Sequence, residues 1–340
     1  NFALYIEADD DSINYAELSD SIIRPEIKDD SIKTKGYFIY PSQLFANVVK
    51  NANTNKSLNT DLAKIFAEIE SSANGYSSEG DIKGLFADFD TTSNRLGNTV
   101  KDKNTRLAAV LKGVSGLEFG DFQGSQIDLF GDAYEFLISN YAANAGKSGG
   151  EFFTPRSVVR VIVEMLEPYK GRVYDPCCGS GGMFVQCAKF VARHQGSATA
   201  DLSVFGQEQK EVTVPLAKMN LAVHGLGGDI RESNTYYEDV HDAVGADGKG
   251  RFDFVMANPP FNVDKVDAES IKTDRRLPFG LPGVNKDKHV SNGNYLWISY
   301  FHSYLSPTGR AGFVMSSQAS SAGHGEKEVR RKLVETGDVD

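Results

Sequence analysis

Long apolar runs are missing from these 340 residues. A helix that crosses a bilayer needs about 20 consecutive apolar residues, so no membrane association is expected. Cysteine is scarce: Cys177, Cys178 and Cys187 are the three present, two of them adjacent, with no Cys-x-x-Cys pair and no histidine close by at ligand spacing. Neither a disulfide framework nor a zinc site is indicated, and no metal site is expected. No secretory signal is visible, which points to a reducing cytoplasmic setting. Positive charge is also short, with 36 Lys and Arg against 46 Asp and Glu and a net charge of −10. Nonspecific affinity for nucleic acid comes mainly from neutralising phosphates. A chain with this balance that works on DNA needs a partner to supply most of the grip.

Two nucleotide-binding signatures fail as well. The glycine-rich stretch at 179–182 lacks the third glycine of Gly-x-Gly-x-x-Gly, because Phe184 stands in its place, and no Gly-Lys-Ser/Thr follows. NAD is therefore disfavoured and a P-loop is removed from consideration.

What is present suggests two domains, or three, with ample length for a sizeable core. The chain opens at Asn1 without Met and stops at Gly337-Asp338-Val339-Asp340 as if entering another element; a piece of a longer protein is expected. Residues 1–145 carry mostly helical periodicity, with Leu62, Ile65, Phe66 and Ile69 on one face, short helices near 81–86 and 107–111, and a stronger one at 128–141. No chemical constellation stands out there, so a helical recognition or assembly domain is the expectation. Gly146-Lys147-Ser148-Gly149-Gly150 marks a flexible boundary, and residues 151–340 form the second domain.

That domain begins with Glu151-Phe152-Phe153-Thr154-Pro155-Arg156. Thr154 suits an N-cap and Pro155 a first turn, ahead of a helix whose apolar residues are Val158, Val159, Ile162, Val163, Met165 and Leu166. Capping is a sufficient reason for these residues, although a helix N-terminus can also receive a carboxylate. Arg172-Val173-Tyr174-Asp175 reads as a strand, Gly179-Ser180-Gly181-Gly182 as a turn, and Met183 to His194 as a helix. This order opens a Rossmann-like, doubly wound α/β sheet, in which glycines let the backbone approach a ligand. Asp175 can hold an ammonium group or serve as a turn carboxylate. A second strand, Ser203 to Glu208, ends in an acid placed for a ribose diol, unless Glu208 only begins the following helix. That helix runs from about Val212 to Val223. Asp229 and Asn234 both suit the adenine side of a nucleoside, and the sequence does not choose between them.

The most informative stretch runs from Arg251 to Phe261. Phe252, Phe254, Val255, Met256 and Ala257 make a short buried strand, and Asn258-Pro259-Pro260-Phe261 stops it. The prolines donate no N–H and fix φ. Asn258 Oδ1 and the Pro259 carbonyl can then accept from one planar NH₂ group, and Phe261 offers a stacking face. A flipped base with an exocyclic amine fits this patch; a plain turn after a strand also accounts for the prolines. Residues 262–291 are polar and long for a connection, which suggests a substrate lid that orders on binding, or a solvated insertion. A helix over 294–305 and a strand over 310–315 follow.

Taken together, Glu-Phe-Phe-Thr-Pro-Arg (151–156), Asp-Pro-Cys-Cys-Gly-Ser-Gly-Gly (175–182), Gly-Gln-Glu (206–208), Met-Asn-Leu-Ala-Val-His-Gly (219–225) and Ala-Asn-Pro-Pro-Phe (257–261) resemble the modification (M) subunits of type I restriction-modification systems. These are adenine-N6 DNA methyltransferases. The resemblance runs from about Tyr134 to Ser317 and extends more loosely over the helical N-terminal domain; family members usually continue into C-terminal helices that meet the specificity subunit. It implies a methyltransferase sheet, S-adenosylmethionine as cofactor, and double-stranded DNA as substrate. It further implies a complex with a specificity (S) subunit, a second M subunit and, for cleavage, a restriction (R) subunit. Residue by residue, it implies that Glu151 to Arg156, Ser180 to Gly182 and Glu208 contact the cofactor and that Asn258, Pro259 and Phe261 hold the target adenine. Cys177-Cys178 departs from the pattern, where small residues are usual, although Cys is itself small and is expected to be tolerated. Rival readings are a protein-glutamine methyltransferase, which prefers Tyr at the position of Phe261, a ribosomal RNA base methyltransferase, and a non-catalytic cofactor-binding assembly subunit.

Overall fold

The computed structural model describes residues 14–87, 89–116, 136, 154–195, 202–321 and 323–339, and the chain falls into two compact units, Asn1–Ser125 and Gln126–Asp340. The first unit is helical, with α1 (Pro25–Lys35), α2 (Phe45–Asn51), α3 (Leu58–Ser72) and α4 (Val100–Ser115). Leu58 and Leu62 of α3 pack against Leu107 and Ala108 of α4. Ile69 is also buried, whereas Ile65 and Phe66 are half-buried, and Phe66 stacks on Phe86 with centroids 4.4 Å apart. The side chain of Asn104 ties the two helices by accepting from Asn59 N–H at 2.9 Å and donating to the Lys56 carbonyl at 2.6 Å. The helix expected near 81–86 is reduced to a single turn, Glu79–Ile82. The one expected near 107–111 is the middle of the longer α4. The expected helix at 128–141, apart from Phe136, and the boundary at 146–150 lie outside the described residues.

The second unit runs α5 (Arg156–Leu166), β1 (Gly171–Asp175), α6 (Gly182–Gln195), β2 (Leu202–Glu208), α7 (Val214–Val223), β3 (Gly228–Glu232) and β4 (Phe252–Ala257). It continues with a small antiparallel pair, β5 (Val266–Asp267) and β6 (His289–Val290), then α8 (Asn294–Tyr304), β7 (Leu305–Phe313) and α9 (His324–Thr336). The main sheet has the order β3-β2-β1-β4-β7, and its neighbouring strands are parallel.

Alternation along the strands sends successive side chains to opposite faces. Val173 and Met256 join Val159, Ile162, Phe184, Val191 and Leu221 of α5, α6 and α7 in one apolar layer. Tyr174 and Val255 join Leu296, Trp297, Tyr300 and Phe301 of α8 in the other. Both faces are covered, as a parallel sheet requires. Val158 and Met165 of α5, expected among its apolar contacts, are exposed; Val159, Ile162, Val163 and Leu166 alone form the buried stripe.

The polar segment after β4 is a folded part of this second layer rather than a free lid. Val266, Ala268, Ile271, Leu277 and Val290 are buried in it, and Ala268–Ile271 forms a helical turn between β5 and β6.

Candidate functional site

The strand order reverses between β1 and β4, because β2 and β3 lie on one side of β1 while β7 lies beyond β4. In open parallel sheets ligands bind outside the carboxyl ends of the strands at such a switch point. The two loops marked by the sequence both leave from it: β1 and β4 are paired through Val173–Phe254 and Tyr174–Val255, so Asp175 ends one of two adjacent strands and Asn258 directly follows the other.

The turn after β1 is held from three sides. Asp175, 2% exposed, accepts the Cys177 N–H at 3.0 Å through Oδ1. The β2 end supplies two acceptors: the Gln207 carbonyl takes the Cys178 N–H at 3.0 Å, and Glu208 Oε2 takes the Gly179 N–H at 3.0 Å. Glu208 Oε1 accepts the Lys210 N–H at 2.9 Å. From α7, Asn220 Nδ2 donates to the Ser180 carbonyl at 2.8 Å. Gly179 and Gly181 have φ of +52° and +78°, the left-handed region that a side chain disfavours. A Cβ at Gly179 or Gly182 would meet nothing within 4 Å among the described residues. Gly206 of β2 answers to a different demand, since a Cβ there would come within 2.6 Å of Ile230 Cδ1 and 2.9 Å of Cys178 Sγ. Burial drives the Asp175 carboxyl up from 3.8 to about 7, against the opposing Cys177 hydrogen bond.

The turn after β4 is built differently. Asn258 Nδ2 donates to Thr154 Oγ1 at 2.8 Å, while Asn258 Oδ1 is buried and has no hydrogen-bond partner among the described residues. A buried acceptor left unpaired carries a desolvation cost of about 1–3 kcal/mol, and an incoming N–H donor would remove it. Pro259 is buried and Pro260 exposed; Phe261 is 42% exposed, so its ring has surface available for stacking. Asn262 follows at φ +56°. The first residue of α8, Asn294, fixes it, accepting the Asn262 N–H at 2.9 Å and donating from Nδ2 to Asn262 Oδ1 at 2.9 Å.

Thr154 thus has a different local role from the expected one. Pro155 occupies the N-cap position of α5 and no side-chain cap is made, while the threonine hydroxyl meets Asn258 instead. Arg156 begins the helix; Glu151, Phe152 and Phe153 lie outside the described residues. Asp229 is not brought to the carboxyl edge. It pairs with Phe205, three strand residues (about 10 Å) before the Glu208–Glu232 pair, and Arg231 engages both its oxygens. Asn234 does lie past that edge, next to Ser233, whose N–H donates to the Glu208 carbonyl at 2.9 Å; its Oδ1 accepts the Tyr236 N–H. The sequence assigns no role to Asn294, and Asn220 enters there only within the stretch 219–225, without a role of its own. The available signal was a polar residue inside an apolar helix for Asn220, and an asparagine opening an aromatic helix for Asn294.

A doubly wound sheet with a glycine turn after its first strand and an Asn-Pro-Pro-Phe turn after its fourth, side by side at the switch point, is a methyltransferase architecture. The family profile described as N-6 DNA Methylase matches residues 125–340, and the chain belongs to that family. It is 39% identical over 253 residues to the type I restriction enzyme MpnII methylase subunit of Mycoplasma pneumoniae, covering 70% of this chain and 46% of that protein. It is 40% identical over 209 residues to the MjaIX methylase subunit of Methanocaldococcus jannaschii, covering 61% of this chain and 36% of that one. The chain therefore spans less than half the length of these relatives. The crystal structure of a type I restriction-modification methyltransferase subunit from Streptococcus thermophilus superposes with a TM-score of 0.77 at 25% identity, covering 100% of this chain and 67% of that one.

Proposed function

We propose that the protein transfers a methyl group from S-adenosylmethionine to N6 of adenine at a specific DNA sequence, as the modification subunit of a type I restriction-modification complex. The observation that carries this reading is the buried Asn258 Oδ1, which has no hydrogen-bond partner among the described residues and follows the strand next to the glycine turn. An acceptor in that position suits one N–H of an exocyclic amine, with the Pro259 carbonyl next along the chain for the other. Bound S-adenosylmethionine would supply a methyl group already activated on a sulfonium. The residues present suit it: Glu208 for the ribose hydroxyls, the glycines of the 179–182 turn for close backbone approach, and Asp175 for the ammonium. Asn234 is better placed than Asp229 for the adenine of the cofactor.

The chain's own part is alignment and charge stabilisation. Adenine N6 is a poor nucleophile because its lone pair is delocalised into the ring. As N6 takes the methyl group and the bond from carbon to sulfur breaks, positive charge builds on the amine. Its hydrogen bonds to Asn258 Oδ1 and the Pro259 carbonyl strengthen in step, before the surplus proton leaves to water. Orientation of donor and acceptor can lower the barrier by about 7–11 kcal/mol. Stacking on Phe261 offsets part of the cost of extruding the base.

The net charge of −10 supports a division of labour in which a specificity subunit supplies the DNA grip, with a second M subunit and a restriction subunit completing the assembly. Transfer of radiolabelled methyl to DNA, RNA and protein, with and without the specificity subunit, tests the reading. Label in adenine of DNA that carries the recognition sequence is the expected result. Label in protein glutamine or in RNA, or none in any acceptor with the full complex, overturns it.

A further inference from the structure

We propose that Arg276 is a positioning residue that ties the turn after β4 to the turn after β1, an inference that rests on the methyltransferase reading. Arg276 is a charged side chain 2% exposed in the segment that follows Asn-Pro-Pro-Phe. Its Nε and Nη2 meet the Asp274 carboxylate at 3.0 and 2.6 Å, and its guanidinium lies 4.5 Å from the centre of the Tyr300 ring. The remaining donors converge on the loop after β3 and on α8. Nη1 donates to the carbonyls of Thr235 at 2.8 Å and Glu238 at 3.1 Å and to the Tyr304 hydroxyl at 3.1 Å.

Both of those carbonyls lead to the glycine turn. The Thr235 hydroxyl donates to the Pro176 carbonyl, the first residue beyond Asp175. The Glu238 carbonyl also accepts from Gln207 Nε2 at 3.1 Å, and the Gln207 carbonyl holds the Cys178 N–H. On the other side, Ser303 of α8 donates to the Arg276 carbonyl at 2.9 Å, and α8 begins with Asn294, which clamps Asn262. The planar guanidinium, with five donors in a fixed fork, satisfies these directions together; a lysine ammonium cannot. Burying it for packing alone would be a poor use of a charge that apolar residues replace without loss.

The test is a double-mutant cycle in the full-length subunit, read by calorimetric titration with S-adenosylmethionine, by kcat for methyl transfer in the complex, and by thermal denaturation. Arg276→Lys keeps the charge and loses the fork; Thr235→Val removes the hydroxyl at the Pro176 carbonyl. Each is expected to weaken cofactor binding by roughly ten-fold, well below its melting temperature, with Arg276→Lys lowering kcat as well. The double variant is expected to bind within about two-fold of Arg276→Lys, because coupled residues are not additive. Additive losses, or an unchanged Kd in Arg276→Lys, overturn the proposal. Should Arg276→Lys not fold, Tyr304→Phe, which removes one Nη1 partner, takes its place in the cycle under the same criteria. Absence of cofactor uptake by the wild type overturns both this inference and the methyltransferase reading; uptake by the wild type with an unaffected variant overturns this inference alone.

Discussion

The turns after β1 and β4 sit on neighbouring strands and differ in how their polar groups are satisfied. In the first, the N–H groups of Cys177, Cys178 and Gly179 and the carbonyl of Ser180 all have partners within the protein. In the second, two prolines have removed the donors and Asn258 Oδ1 is left as a buried acceptor with no partner among the described residues. A turn tied at several backbone groups within the protein keeps its shape whether or not a ligand is present. A turn with an unmet acceptor gains a hydrogen bond when a donor arrives, so under the proposed function the first turn holds the cofactor and the second meets the target amine, whose bond to Asn258 strengthens as charge builds.

The largest effect that would break this contrast is at Asn258. Asn258→Ala removes the acceptor, and the loss of one such group in a preorganised site costs about 10²–10³ in rate. Methyl transfer is expected to fall by at least that much, with S-adenosylmethionine affinity within about two-fold of wild type by calorimetry. Comparable rates in the variant would take Asn258 out of the chemistry. Glu208→Ala is the complementary change, since it strips partners from the Gly179 and Lys210 N–H groups. Hydrogen bonds to a charged group contribute about 1.5–3 kcal/mol each. Cofactor affinity is expected to drop by roughly 10- to 100-fold, with the rate at saturating cofactor much less changed.

Much of this arrangement is legible in the sequence, and for physical reasons. The strand ending at Ala257 is a short apolar run stopped by two prolines, and the one ending at Asp175 is a shorter, mixed stretch ahead of Pro176 and the glycine turn; both are found, as β4 (Phe252–Ala257) and β1 (Gly171–Asp175). What sequence alone does not carry is partnership across distance. The bond between Thr154 and Asn258 joins residues 104 positions apart, and threonine before proline reads as a helix cap because that is its commonest local use. Arg276 reads as one more cation in a polar stretch, since its burial depends on carbonyls and rings contributed by the loop after β3 and by α8. The same stretch alternates buried and exposed residues too irregularly for a period to be seen, so its place in the core follows from packing on the sheet.

Asp175 gives a pH-dependent way to sharpen the comparison. Its carboxyl has a folded-state pKa of about 7 against an ordinary 3.8, caused by burial. Between those values the folded protein keeps a proton that the unfolded chain has released, so stability falls as pH rises from about 4 to about 7 and levels off above. Asp175→Asn removes the titration. Its melting temperature is expected to exceed that of wild type at pH 8, with the gap closing as pH approaches 4. A constant offset between the two across that range would show that burial does not hold the proton. Under the proposed role, the same variant is expected to weaken S-adenosylmethionine binding above about pH 7, where the wild-type carboxyl is ionised and the amide stays neutral.

The smallest expected effect is the one that separates the two turns most sharply. Thr154→Val removes the hydroxyl that accepts from Asn258 Nδ2 at 2.8 Å while keeping the shape of the side chain. With that bond present, Nδ2 is held toward Thr154 and Oδ1 is kept as the buried acceptor. Without it, the amide can turn over and offer a donor where, in the proposed function, the target amine needs an acceptor. A neutral hydrogen bond contributes about 0.5–1.5 kcal/mol, so kcat is expected to fall by roughly 2- to 10-fold with cofactor Kd unchanged. The opposite split, a weakened Kd at constant kcat, would assign Thr154 to the cofactor side of the site, where the resemblance of residues 151–156 to the modification subunits places it.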